Sequence, residues 1–325
     1  MRRLARQGIY DSDLSFVVQG PILYSNGISL AELSIKSIRE HFPNSEVILS
    51  SHKGSDVSHL NYDKLALTEK DKFLLVENDK FGNFMNTNNQ IRTTQAGLDL
   101  ATRPYVVKIR SDMLVENSNI LTLLNNRPIR SKSRKIITRE PVIVLNWSTV
   151  NPDAFLRLLH HPSDQLHAGA TEDVRSIWSC PPYPVAYMRW FESHPYPKDA
   201  QHGDYLQRYR SESWIWYNYV KNYCRFPFPD SYSFSKELMN ESRILLASNL
   251  MVVSSKMAGV KSSKNAEPSW QSQVKMLSYF DWLHFAKNQG IRMPRFFFDS
   301  LSIKVYLIRI LLKLAKKESL VFSRK

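Results

Sequence analysis

A few short segments of this chain hold residue types able to do chemistry. They are Gln19-Gly20-Pro21, the polar run 50–56 with Ser51 and Asp56, Arg92, and Arg110-Ser111-Asp112. Farther on come His160-His161-Pro162-Ser163-Asp164 and Glu212. Carboxylates can take a proton or hold a cation, and a guanidinium meets a phosphate as a rigid fork of donors. The histidine pair with Asp164 has the donor types of a transition-metal site. Neighbours in an extended stretch point to opposite sides, however, so the two rings do not readily share one ion. Glu172 and Asp173 follow Thr171, where negative charge suits a helix N-terminus, and are expected to be structural.

The elements that must position these groups are legible in the first half of the chain. LSFVVQ at Leu14–Gln19 is an apolar run stopped by Gly20 and Pro21, the pattern of a buried strand entering a loop. Ser29 and Glu32 then form a capping-box pattern ahead of a helix with Leu30, Leu33, Ile38 and Phe42, ended by Pro43. A second strand is expected at 46–49, a helix at 89–101, a third strand at 105–109, and another at 142–146. Strand, helix and strand in succession are the unit of a parallel α/β sheet. In such sheets ligands lie outside the carboxyl ends of the strands, so Gln19, Gly20, Pro21, the run 50–56 and Asp112 should meet in one crevice that takes a nucleotide.

Composition limits what the crevice can serve. The chain has 325 residues, 43% hydrophobic and 23% charged, ample for a packed core. Its 10 glycines are too dispersed for a dinucleotide fingerprint or a Walker A loop. Two cysteines, Cys180 and Cys224, suit a reducing compartment, and the basic start lacks the apolar stretch of a secretory signal, so a cytoplasmic location is expected. No uninterrupted apolar run predicts a transmembrane helix. The net charge of +14 falls in three patches, at residues 1–10, 127–139 and 304–325. Discrete patches favour anionic membrane or phosphate partners over a continuous nucleic-acid groove. Beyond residue 150 proline and aromatics crowd 181–209, helices are expected near 212–223 and 269–288, and the βαβ rhythm fades.

The run FVVQGPI, then HFPNSEVILSSHKGSDV, then NNQIRTTQAGLDLA and YVVKIRSDMLVEN, resembles the WavE family of bacterial lipopolysaccharide-synthesis proteins. HPSDQLHAGATEDVRSIW and SESWIWYNYV fit the same pattern more loosely, and the resemblance spans residues 12–225. It implies a glycosyltransferase with a fold similar to the GT-A nucleotide-sugar enzymes: a mostly parallel, Rossmann-type α/β sheet flanked by helices. Residues 1–150 would bind the nucleotide sugar, 151–295 would form an aromatic-rich acceptor half of the same globule, and 296–325 a basic amphipathic tail.

GT-A enzymes place an Asp-x-Asp after the third strand to hold a divalent cation, and here the triplet is Arg110-Ser111-Asp112. Two readings stay open: Asp112 alone holds Mg²⁺ or Mn²⁺, or Arg110 neutralises the departing diphosphate directly. Gln19, Gly20, Pro21, Ser51, Asp56, Arg92, Arg110, Ser111 and Asp112 are the expected donor-binding residues, and Asp164 or Glu212 the base for the acceptor hydroxyl. Trp190, Phe191, Trp214, Trp216 and Tyr217 are candidates to stack on sugar rings, although several are expected in the core. The basic stretch 127–139 is either a solvated loop or a binding surface for a phosphorylated oligosaccharide. In the tail, Arg309, Lys313, Lys316 and Lys317 share one helical face opposite Leu301, Ile308, Leu311, Leu312 and Leu314, which suits the cytoplasmic face of the inner membrane. The partners expected are therefore a nucleotide-sugar donor, a lipid-linked saccharide acceptor and that membrane surface. The rival classes are a nucleic-acid-binding protein or nuclease, suggested by the basic pI, and a non-catalytic saccharide-binding protein.

Overall fold

The computed structural model describes residues 8–71, 74–75, 84–130, 135–153, 157–197, 206–263, 270–295 and 297–314. In chain order the first half supplies β1 (Leu14–Gln19), α1 (Leu30–His41), β2 (Glu46–His52), β3 (Lys64–Thr68), α2 (Thr87–Leu100), β4 (Tyr105–Arg110), β5 (Met113–Val115), α3 (Asn119–Asn125) and β6 (Val142–Leu145). The second half adds β7 (Leu166–Ala170), α4 (Thr171–Trp178), α5 (Ser211–Val220), α6 (Lys236–Asn249), β8 (Leu250–Val253), α7 (Ser255–Ala258), β9 (Val260–Ser262), α8 (Tyr279–Asn288) and α9 (Ser300–Leu314).

The sheet order is β8-β6-β7-β4-β1-β2-β3. β1 pairs in parallel with β2 on one side and with β4 on the other. All six β1 residues are buried, as an apolar strand covered on both faces requires. From β1 the chain builds outward through β2 and β3, then crosses back through α2 to β4. The switch point therefore lies at the carboxyl ends of β1 and β4, where a crevice opens in sheets of this kind. Ser29 accepts a hydrogen bond from the Glu32 amide at 3.3 Å and starts α1 as its sequence predicts. Gly97 lets α2 lie against the sheet: a Cβ there would sit 2.5 Å from Val17 Cγ1 and 2.9 Å from Ser50 Cβ.

The second half contributes more to the sheet than its sequence pattern foretold. β7 runs antiparallel between β4 and β6, and β8 closes the far edge parallel to β6. LHAGA carries a histidine and a glycine and lacks the apolar run of β1, so its strand character comes from its neighbours. One hydrophobic core runs from Phe16 and Phe42 through Trp178 and Trp216 to Trp282.

Several surface expectations are corrected by packing. In the stretch 127–139 Arg139 is exposed, but Arg127, Arg130 and Lys135 are neither solvated nor open to a phosphate. Arg127 is buried, pairs with Glu140 and packs its guanidinium 4.9 Å from the Tyr105 ring centre. Arg130 donates to the carbonyls of Thr138 and Ser248, each at 2.8 Å, and Lys135 pairs with Glu241 at 2.6 Å. These cations serve the fold, because a buried charge must find an internal partner. Lys132 and Arg134 lie outside the described residues. Phe191, Trp214 and Trp216 are buried, and the Trp214 indole donates to the Pro181 carbonyl at 3.0 Å, so these rings are core and not sugar platforms. Asp173 accepts from the amides of Arg139 and Glu140, the structural role expected of it.

The tail helix is rotated relative to its expected faces. Arg309 is buried: its guanidinium meets the Asp281 carboxylate at 2.5 Å and donates to the carbonyls of Val274 and Met276 at 3.0 and 2.7 Å. Ile308 and Leu312 pack against Val274 and Val305. Helical spacing identifies residues that share a face, but which face turns inward depends on the partner helix α8. Lys316 and Lys317 lie outside the described residues. Among the described residues no helix is long and apolar enough to cross a membrane.

Candidate functional site

A cavity of about 270 Å³ opens at the switch point, lined by Gln19, Gly20, Pro21, Leu23, Asn86, Gln90, Arg110, Ser111, Asp112 and Asp164. The loop after β1 forms one wall. Gly20 has φ +136°, and a Cβ on it would sit 2.7 Å from Ser111 Oγ, so both the backbone angle and the close approach call for glycine. Ser111 seals the contact: its amide donates to the Gln19 carbonyl and its hydroxyl to the Pro21 carbonyl, each at 2.8 Å. The Gln19 amide group is itself fixed by donating to Thr93 on α2 at 2.7 Å.

Arg110 ends β4 with its side chain turned into the cavity and 39% exposed. It grips Asp112 as a fork, Nε at 2.9 Å from one carboxylate oxygen and Nη2 at 2.8 Å from the other. Burial alone would lower the guanidinium's pKa, but Asp112 and Asp164 more than offset it and hold the cation fully charged. Asp164 arrives from the second half of the chain. Because β7 is antiparallel to β4, with Leu166 opposite Ile109, the residues just before β7 sit at the carboxyl end of β4. There the Asp164 carboxylate accepts from Gln90. Burial would raise its pKa, yet Lys108, Arg110 and Gln90 together hold it below the usual carboxylate range.

Lys108 sits beneath this wall and escaped the sequence reading. It is wholly buried, donates to the Asp164 carbonyl at 2.5 Å, and lies 4.7 Å from the Trp178 ring centre. The available signal was a single lysine in the otherwise apolar YVVKI. Burial pushes its ammonium down to about 7, against the pull of Asp164. Beside it His167 is held neutral: Nε2–H donates to the Ser163 carbonyl at 2.9 Å, while Nδ1 accepts from the Trp178 indole at 2.7 Å. Burial takes that imidazole down to about 3.

A stability test follows from Lys108. An unfolded lysine stays protonated to about pH 10.4, whereas this folded one loses its proton near 7. Between those values the unfolded state binds the extra proton, so stability rises with pH; below them both states are charged and the slope from this group vanishes. Urea unfolding of the parent and of Lys108→Met from pH 6.5 to 9.5 should show the parent gaining on the variant as pH rises. A constant difference would refute the buried, neutralised lysine.

The remaining expected residues lie at or beyond the rim. Glu212, in the first turn of α5, is 3.5 Å from His161 Nε2 and within electrostatic reach of Arg110. His161 Nδ1 faces the Ser148 carbonyl at 2.8 Å, while His160 is buried between Tyr217 and Phe228, so the two rings do part; the backbone at His160 is not extended as expected but left-handed, with φ +52°. Ser51 is buried against Ser55, Asp56 is exposed and accepts from Ser58, and Arg92 pairs with Asp71; none of the three lines the cavity. Leu23, Asn86 and Gln90 do line it. The polar run Asn86-Thr87-Asn88-Asn89-Gln90 at the head of α2 was the signal for the last two.

The donor set favours the Arg110 guanidinium over Mg²⁺ or Mn²⁺ held by Asp112 alone. Such ions take one or two free carboxylates and complete their shell with phosphate oxygens and water. Here both oxygens of Asp112 are engaged by a cation, and among the described residues no three His, Cys, Asp or Glu side chains converge.

The family model described as WavE lipopolysaccharide synthesis matches residues 14–318. Comparison with curated proteins returns no match. Among solved structures, a nucleoside-diphosphate-sugar pyrophosphorylase from Vibrio cholerae is 12% identical, with 64% of this chain and 87% of that one covered at a TM-score of 0.31. A 4-diphosphocytidyl-2C-methyl-D-erythritol synthase from Anaerococcus prevotii is 9% identical, with 57% and 78% covered at the same score of 0.31. Likeness at that level carries no functional information.

Proposed function

This chain belongs to the WavE lipopolysaccharide synthesis family, and from that premise we propose that it is a glycosyltransferase. It moves a sugar from a nucleotide-sugar donor to a lipopolysaccharide core or another lipid-linked surface saccharide, working at the cytoplasmic face of the inner membrane. The observation that carries the reading is the convergence of Gly20, Gln90, Arg110, Ser111, Asp112 and Asp164 on one cavity at the switch point.

The leaving diphosphate lies against Arg110, whose charge is already oriented by Asp112 and needs no rearrangement as negative charge develops. Asp112 thus acts on the donor through Arg110. Asp164, held ionised by cations and Gln90, is a weak base and better suited to anchoring sugar hydroxyls. Glu212 is then the acceptor's base, with His161 beside it.

Titration calorimetry with a panel of nucleotide sugars and a DNA duplex at physiological salt tests the class: a nucleotide sugar binds and the duplex does not. Asp112→Asn should keep the fold and lower transfer by about 10²-fold, comparable with loss of one preorganised contact. Glu212→Gln should suppress transfer while leaving donor affinity near the parental value. Parental transfer rates in both variants would end this assignment.

A further inference from the structure

α9 carries a row of apolar side chains that the described residues leave largely uncovered. Tyr306, Leu307, Ile310 and Leu311 are 39%, 53%, 38% and 63% exposed, although Val305 and Arg309 of the same helix are buried. The spacing i, i+1, i+4, i+5 places the four on one side of the helix, along about 8 Å at 1.5 Å per residue. Phe298, just before the helix, is 73% exposed. It lines a separate cavity of about 410 Å³ with Lys256, Arg295, Asp299 and Ser300.

We propose that this row, and not the basic face expected from the sequence, is where the protein docks onto an anionic lipid bilayer. The inference rests on the membrane attachment proposed above and names its surface. Charge argues for lipid. α9 contains no acidic residue, exposed Lys304 adjoins the row, and the chain continues with Lys313, Lys316, Lys317, Arg324 and Lys325 against a single Glu318. At the near end of the helix Lys256 and Arg295 are exposed and, among the described residues, have no carboxylate partner. Apolar side chains bordered by cations match the boundary between acyl chains and anionic headgroups. A second copy of the chain fits less well. The four residues offer far less than the roughly 800 Å² per partner of a stable interface, and their cationic borders would meet like charge across a two-fold axis.

The test uses the full chain and vesicles of phosphatidylglycerol with phosphatidylethanolamine, with phosphatidylcholine vesicles as the neutral control. The parent should sediment with the anionic vesicles and much less with the neutral ones. Leu307→Glu combined with Leu311→Glu should cut the bound fraction about 10-fold or more. Both side chains are largely exposed, so the melting temperature should hold. Lys256→Glu with Arg295→Glu should weaken binding to anionic vesicles only. A parent that never sediments, a doubly substituted α9 that sediments as the parent does, or a parental dimer that this substitution dissolves would each overturn the proposal. Nucleotide-sugar titration of the same variants separates this result from the catalytic one: a chain that binds vesicles but no donor refutes the transferase and leaves the docking surface standing.

Discussion

Arg110→Met should lower sugar transfer by about 10²- to 10³-fold, the effect of removing one preorganised donor of charge from a site where the leaving group becomes negative. Arg110→Lys should fall between this variant and the parent, since it restores a charge but not the planar fork that Asp112 holds at 2.9 and 2.8 Å. Transfer by the parent should be indifferent to EDTA if, as proposed, the cation at the diphosphate is the Arg110 guanidinium. The measurement is single-turnover transfer from the nucleotide sugar found by titration, with circular dichroism to confirm that each variant is folded. An Arg110→Met protein working within threefold of the parent would remove the guanidinium from the mechanism. A parent silenced by EDTA and revived by Mn²⁺ would place a metal where Arg110 is assigned.

The second large effect is on stability. Asp281→Ala should cost about 3–5 kcal/mol, as when one partner of a buried ion pair is deleted and the other stays charged. Arg309 would keep its carbonyl contacts but lose its counter-charge. The same carboxylate also accepts from the Ser278 amide at 2.9 Å and closes the cap of α8. Urea unfolding at neutral pH should record the loss, and Arg309→Met in the Asp281→Ala background should recover most of it by removing the stranded charge. Asp281→Ala within 1 kcal/mol of the parent would mean that Arg309 reaches water and that α9 is not locked to α8 by this pair. A recovered double variant should still sediment with anionic vesicles, since the row from Tyr306 to Leu311 is untouched.

By itself the sequence determined the parallel half of the sheet and one wall of the cavity. Leu14–Gln19, the strand at Glu46–His52 and Tyr105–Arg110 are apolar runs closed by turn residues, and such runs have few places to go except a covered sheet. Local order then delivered Gly20, Pro21, Arg110, Ser111 and Asp112 to the strand ends, where the switch point gathers them. Tertiary structure decided the rest. Asp164 reaches Arg110 only because β7 runs antiparallel beside β4, a pairing across more than fifty residues for which LHAGA carries little local signal. Lys108 has its lowered pKa because the sheet and Trp178 exclude water from it, a property of the surroundings and not of the residue. Arg127, Arg130, Lys135 and Arg309 read as surface charge in a list of residues, yet each found a carboxylate or carbonyl partner within the fold. Periodicity gave α9 two faces, and only packing against α8 and Val274 determined which one stayed exposed. Covalent neighbours set what a segment can form; which charges are dry, and which apolar side chains stay uncovered, depends on residues far along the chain.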